Sequence, residues 1–151
     1  MRTYLVVIDE SPEAALAMRF AARRAAKTGG NVHVLAVTEP QEFVPWGGVE
    51  ATIKAEAQER AAALVNAAAG TLVAESGMRP EISVREGLAT EVVRTLLTEN
   101  REIAALVLGA VASGNPGPLV AHFTGPDAGT LPCPVMIVPG SLSEEEIDRL
   151  S

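Results

Sequence analysis

The segment Leu106-Val-Leu-Gly-Ala-Val-Ala-Ser-Gly-Asn-Pro-Gly-Pro-Leu-Val120 runs from an apolar stretch through a glycine-rich loop into the start of a helical pattern. In a parallel α/β sheet, this joint is where backbone N–H groups at a helix N-terminus hold phosphates and other anions. Such sites usually add a cationic side chain, yet no Lys or Arg occurs between Arg101 and Arg149. The loop has the outline of a phosphate cradle without the customary charge, and the functional reading turns on that conflict.

Around this segment, strand and helix patterns alternate. Tyr4-Leu-Val-Val-Ile8 is a short, β-branched run of the kind buried on both faces of a sheet. Ser11-Pro12 supplies an N-cap and a first-turn proline; the Ala-rich helix behind it carries Leu16 and Phe20 four apart and stops at Gly29-Gly30. Val32 to Val37 reads as a second strand, followed by a loop from Thr38 to Gly48 with two prolines and Trp46. From Val49 to Ser76, Ile53, Ala57, Ala61, Leu64, Val65, Ala68 and Leu72 recur at helical spacing, with Gly70 as a candidate kink and Gly77 as the stop. Glu81 to Arg85 predicts a third strand, Ala89 to Glu99 a helix, and Ala104 to Leu108 a fourth strand. A fourth helical segment is predicted from Pro118 to Thr130, and a last strand from Pro134 to Val138. Ser143 and Glu146 form a capping box for a short helix within 142–151.

Five strands separated by helices imply an α/β fold in a single domain spanning residues 1–151: a doubly wound five-stranded parallel sheet with right-handed crossovers and helices on both faces. Ligands of such sheets bind beyond the C-terminal strand ends, where the strand order reverses. That rule selects Asp9-Glu10-Ser11 after the first strand and the Gly109 loop after the fourth.

Composition narrows the function. Apolar residues make up 48% and charged residues 21%, the balance of an ordinary soluble domain. Twelve basic against nineteen acidic side chains give a net charge of −7, which argues against nucleic acid or an anionic membrane as partner. Arg19, Arg23, Arg24 and Lys27 are spread through the first helix and read as a solvated surface. No apolar run approaches the ~20 residues of a membrane span, and a strand starting at Tyr4 leaves no place for a signal peptide. The single cysteine, Cys133, has no basic neighbour and enters an apolar strand; it reads as a small buried residue, and the expected compartment is the cytoplasm.

Several chemistries fail on their parts. A phospho-acceptor receiver domain needs an Asp ending strand three and a Lys ending strand five, but those ends read Val84-Arg85-Glu86-Gly87 and Val138-Pro139-Gly140. Glu10-Ser11-Pro12-Glu13 is too acidic for a flavodoxin-like phosphate loop. Neither G-x-G-x-x-G nor G-x-x-x-x-G-K-[ST] occurs. His33 and His122 have no Cys or second His beside them for zinc, and no G-x-S-x-G elbow or Ser-His-Asp arrangement can be picked out. The sequence offers no catalytic constellation and no metal site.

Val6-Val-Ile-Asp-Glu-Ser-Pro-Glu-Ala14, Val84-Arg-Glu-Gly87, Leu106-Val-Leu-Gly109 and Pro132-Cys-Pro-Val-Met-Ile-Val-Pro139 together resemble the universal stress proteins, in order and spacing, over nearly the whole chain. The resemblance implies strand order 3-2-1-4-5, a homodimer, and a site for ATP, AMP or another adenine nucleotide. In the family pattern, G-x-x-G, nine further residues and G-[ST] hold the nucleotide, together with an Asp after strand one and a Val ending strand two. Asp9, Val37 and Gly109 match those places. The second glycine falls on Ala112 unless Gly114 or Gly117 replaces it; His122 and Phe123 stand where the Gly-[ST] pair belongs, and Asp127 adds a negative charge.

These departures imply a degenerate nucleotide pocket in a non-catalytic stress-response binding or regulatory module. The ligand-binding residues would be Ile8, Asp9, Val37, Gly109, Ser113, Gly114 and Gly117, with Thr124 as the nearest substitute for the missing serine. Two alternatives stand beside this reading. One is slow nucleotide hydrolysis, which lacks a cation at the loop to stabilise transferred phosphate. The other is a nucleotide-independent interaction module using Phe43, Trp46 and the long second helix.

Overall fold

The apolar runs assemble as one parallel sheet. A computed structural model describes residues 2–40 and 47–151; Phe43 and Trp46 lie outside the described residues. The elements follow the order β1 (Thr3–Val7), α1 (Pro12–Thr28), β2 (Asn31–Thr38), α2 (Gly47–Ser76), β3 (Glu81–Glu86), α3 (Ala89–Glu99), β4 (Ile103–Ala110), α4 (Pro118–Phe123), β5 (Val135–Pro139) and α5 (Glu144–Leu150). Every strand pair is parallel and the order is β3-β2-β1-β4-β5. The chain winds one way through α1 and α2, then the other way through α3 and α4. The strand order therefore reverses between β1 and β4, where a ligand crevice belongs.

Alternation along the strands divides the core into two layers. Tyr4, Val6 and Ile8 of the first strand run, Val32, Val34 and Ala36 of β2, and Ala105 and Val107 of β4 pack toward α1 and α2. Leu5, Leu35, Leu106 and Leu108 face the other way, onto Val93, Leu96 and Leu97 of α3 and Val120 and Phe123 of α4. All five buried residues of α1 (Ala14, Ala17, Ala21, Ala22 and Ala25) are alanines, so this helix can sit close against the sheet. That closeness shapes the site described below.

Two helices differ from the expected pattern. α2 is continuous through Gly70, because Ala61, Val65, Ala68 and Leu72 keep one buried stripe across it and the glycine lies on the exposed side. α4 ends at Phe123 rather than continuing to Thr130; Gly125-Pro126 interrupts it, and a short 3-10 turn follows at Ala128–Thr130. A proline in a helix interior lacks the N–H donor and clashes with the preceding turn. Among the described residues, no helix is long and apolar enough to cross a membrane.

α5 carries the predicted capping box: Ser143 Oγ accepts from Glu146 N at 3.1 Å, and Glu146 Oε1 accepts from Ser143 N at 3.1 Å. It docks on α1 through fully buried Ile147 and a two-pronged contact from Arg19 to Asp148, both N···O distances 2.8 Å. The Arg19 hydrogen bonds hold the Asp148 carboxyl below its ordinary range. Because the folded pKa is depressed, the contact stabilises the fold above the unfolded Asp value of about 3.9 and is lost as pH falls through the folded value. We expect Asp148→Asn to lower Tm at pH 7, with the gap to the parent chain closing below about pH 4; melting curves across that range check it.

Candidate ligand crevice at the strand ends

Gly109 brings the two switch-point loops together. An added Cβ at Gly109 would lie 2.2 Å from the Glu13 carbonyl oxygen and 2.5 Å from its carbonyl carbon. The first turn of α1 therefore rests on the Gly109 backbone, and only a residue without a side chain admits it. The same turn is braced from the side by Gly140, where a Cβ would come 3.2 Å from Glu13 Cβ. The long-range partner is Glu13, which sequence reading had not singled out.

Asp9 follows β1 at this joint and is exposed. Its Oδ1 accepts from the Ser11 backbone N–H at 2.8 Å and from the Ser11 hydroxyl, while Ser11 Oγ caps α1 by accepting from Ala14 N at 3.3 Å. One carboxylate oxygen thus fixes the β1–α1 turn; the described contacts of Asp9 all use Oδ1. The other edge of the group is oriented without being consumed.

The loop from Val111 to Gly117 closes largely on itself. Val111 N donates to Pro116 O at 3.2 Å, and Gly117 N donates to Asn115 Oδ1 at 3.1 Å. Gly114 and Gly117 take φ of 80° and 112°, the region that favours glycine. Ser113 and Gly114 lie exposed at the tip. The Gly117 amide, a candidate for anion binding, is already occupied by Asn115, whose Asn-x-Gly spacing marks an Asx turn. Pro118 begins α4 and contributes no N–H.

The remaining candidates are dispersed. Ile8 is buried in the α1/α2 layer and its N–H donates to Leu35 O at 2.8 Å, whereas Val37 packs in the α3/α4 layer, so the two side chains face opposite sides of the sheet. Thr124 closes the far end of α4 and donates its hydroxyl proton to Val120 O at 2.7 Å. Seven residues of helical rise place it about 10 Å from Gly117. Phe123 fills the core at 1% exposure.

Charge around α4 is better balanced than the sequence suggested. Asp127 Oδ2 lies 3.1 Å from His122 Nε2 and 3.7 Å from Arg94 Nη2, the latter an ion pair without a hydrogen bond. Arg94 comes from α3, so nothing near the loop in sequence announces it. Cys133 is half-buried beneath Leu106, and burial pushes its thiol pKa up. A large groove of 910 Å³ runs along the outer side of α1, between α2 and residues 142–144, and contains none of the candidate residues.

The fold and the position of the crevice define a class: doubly wound α/β domains that bind ligands at a β1/β4 switch point. The model of the universal stress protein family matches residues 1–139, and the chain belongs to that family. Solved structures share the fold. Universal stress protein UspA from Lactobacillus plantarum superposes with a TM-score of 0.73 at 18% identity, covering 91% of this chain and 97% of that one. A universal stress protein in complex with cAMP gives 0.61 at 18%, covering 93% and 98%. The universal stress protein from Archaeoglobus fulgidus in complex with dAMP gives 0.55 at 15%, covering 91% and 97%. No curated protein matches the chain. α5 lies beyond the span of the family match.

Proposed function

We propose that this chain is a cytoplasmic, homodimeric binding and regulatory module of the stress response, with a degenerate adenine-nucleotide pocket at the β1/β4 crevice that acts by binding rather than by hydrolysis. The observation that carries this reading is the juxtaposition of the Asp9 turn with a β4–α4 loop that keeps the position of a phosphate cradle but closes two of its own N–H groups inward. The cAMP and dAMP complexes of proteins with this fold support a nucleoside monophosphate as the class of ligand. A monophosphate carries less charge than a triphosphate, so fewer donors are needed to offset its desolvation. Asp9 would accept from a ribose hydroxyl or an amine, Val37 would line the base, and Ser113 and Gly114 at the loop tip would meet the phosphate. Gly109, Gly117 and Ile8 shape the crevice from behind.

The edge strand β5 supports self-association: Ile137 on it and Val111 beside it stand 36% and 42% exposed. We expect Ile137→Lys to shift the molecular mass by light scattering from dimer to monomer; a parent chain that is already monomeric removes this part of the reading. The ligand is tested by purifying the protein from cells, extracting with acid and identifying the nucleotides released. AMP or a cyclic monophosphate at a substantial fraction of one per chain supports the assignment. Stoichiometric ATP, or steady phosphate release lost in Asp9→Ala, points to the hydrolase instead.

A further inference from the structure

On the opposite side of the sheet from α1, adjacent strands bring together a serine, a histidine and a carboxylate that the crevice does not use. Register pairs His33 of β2 with Glu81 of β3 and Leu35 with Ser83, so Glu81 lies across from His33 and Ser83 lies on the diagonal. Strand alternation places all three side chains on the α3/α4 face. His33 Nε2 is 2.7 Å from Ser83 Oγ, and His33 Nδ1 is 3.4 Å from Glu81 Oε2. His33 is buried at 4% exposure, and its Nδ1 has no hydrogen bond, the Glu81 contact being close but not aligned. Glu81 is exposed, and its carboxylate needs to close by only a fraction of an ångström to reach Nδ1. Such contacts are often long before substrate binds and shorten in the working complex.

We propose that Ser83, His33 and Glu81 form a nucleophile–base–carboxylate relay that accepts acyl groups from small activated esters at the β3 edge. β3 is the outermost strand, so substrate reaches half-buried Ser83 from solvent while the imidazole stays shielded. Among the described residues no strand pairs with the outer side of β3, and the alternate N–H groups exposed there would be the donors for a developing oxyanion. His33 Nε2 takes the Ser83 proton as Oγ attacks the ester carbonyl carbon. The C–O bond to the alcohol then breaks, and the proton passes from Nε2 to the departing oxygen. Water, deprotonated by the same nitrogen, cleaves the acyl-serine to carboxylic acid and free hydroxyl. Once moved onto Nδ1–H, the Glu81 carboxylate holds the tautomer that leaves Nε2 unprotonated. Burial, helped by the Arg85 charge, outweighs the opposing charges of Glu81 and Glu102 and keeps His33 below its ordinary value and neutral at pH 7. This site stands apart from the nucleotide crevice and does not depend on it.

The test uses p-nitrophenyl acetate on the full chain, with phenolate release followed by absorbance and the acetyl group mapped by peptide mass spectrometry. The expected result is acetylation at Ser83, absent in Ser83→Ala and slowed about tenfold or more in Glu81→Gln. The rate should be flat above pH 7 and fall only as His33 protonates, below the ordinary histidine value of about 6.5. Glu81 is exposed, so its variant keeps the fold and decides the matter even where Ser83→Ala does not. Absence of an adduct at Ser83, adducts confined to lysines or the N-terminus, or a Ser83 rate unchanged in Glu81→Gln overturns the proposal and leaves His33 as a buried histidine satisfied by a serine.

Discussion

Gly109→Ala is expected to destabilise the domain by about 3 kcal/mol or more, the upper range for overpacking a rigid site. The added methyl would sit 2.2 Å from the Glu13 carbonyl oxygen, and its neighbours there are backbone atoms with no rotamer to yield. Either α1 lifts from the sheet, breaking the close seat that its alanines allow, or β4 bends away from β1 and β5. For a chain of this size the shift in Tm is roughly 6–12 °C. Gly114→Ala is the control: its Cβ meets nothing within 4 Å, so only the cost of φ at 80° remains, about 1–2 kcal/mol. Denaturant unfolding of the two variants checks the order. A Gly109→Ala protein as stable as its parent would show that the glycine serves a ligand and not the packing of α1.

Phe123→Ser restores the residue type that the nucleotide-binding pattern places at this position, and it is expected to cost stability without gaining a ligand. The ring is 1% exposed among Leu96, Leu97, Leu106, Leu108 and Val120, and truncating a buried phenylalanine costs about 3–5 kcal/mol through lost burial and the cavity left behind. A serine hydroxyl in that cavity adds an unsatisfied polar group. Phe123→Ala should therefore be destabilised slightly less than Phe123→Ser, and neither should bind ATP more tightly than the parent. The edge-on contact with His122, at 4.9 Å between ring centroids, would be lost in both. Stable folding of Phe123→Ser with improved ATP affinity would mean that the helix carries a disguised nucleotide clamp.

Local signals in the sequence located the elements well. β-branched runs marked the strands, Ser11-Pro12 and Ser143 with Glu146 marked helix starts, and the stripe from Ala61 to Leu72 marked the sheet-facing side of α2. The end of α4 is misjudged from sequence: the helical pattern extends to Thr130, whereas Gly125-Pro126 stops the helix at Phe123. What sequence order concealed was long-range geometry. Nothing in Leu106–Gly109 announces that Glu13 rests on the glycine, nor that Arg94 from α3 meets Asp127. Strand parity separates Ile8 from Val37, a consequence of alternation that becomes visible once register is known. The same holds for Ser83 and His33, fifty residues apart and joined only by the β2–β3 register.

The proposed nucleotide site lies at the β1/β4 crevice, whose loop turns the Val111 and Gly117 amides inward and contains no Lys or Arg. Isothermal titration of the purified, nucleotide-free chain with ATP and with AMP tests that account most directly. ATP should bind more weakly than about 0.1 mM, a free energy of less than ~5.5 kcal/mol, and AMP should bind at least as tightly as ATP. ATP binding at micromolar levels or better, exceeding that of AMP, would contradict it.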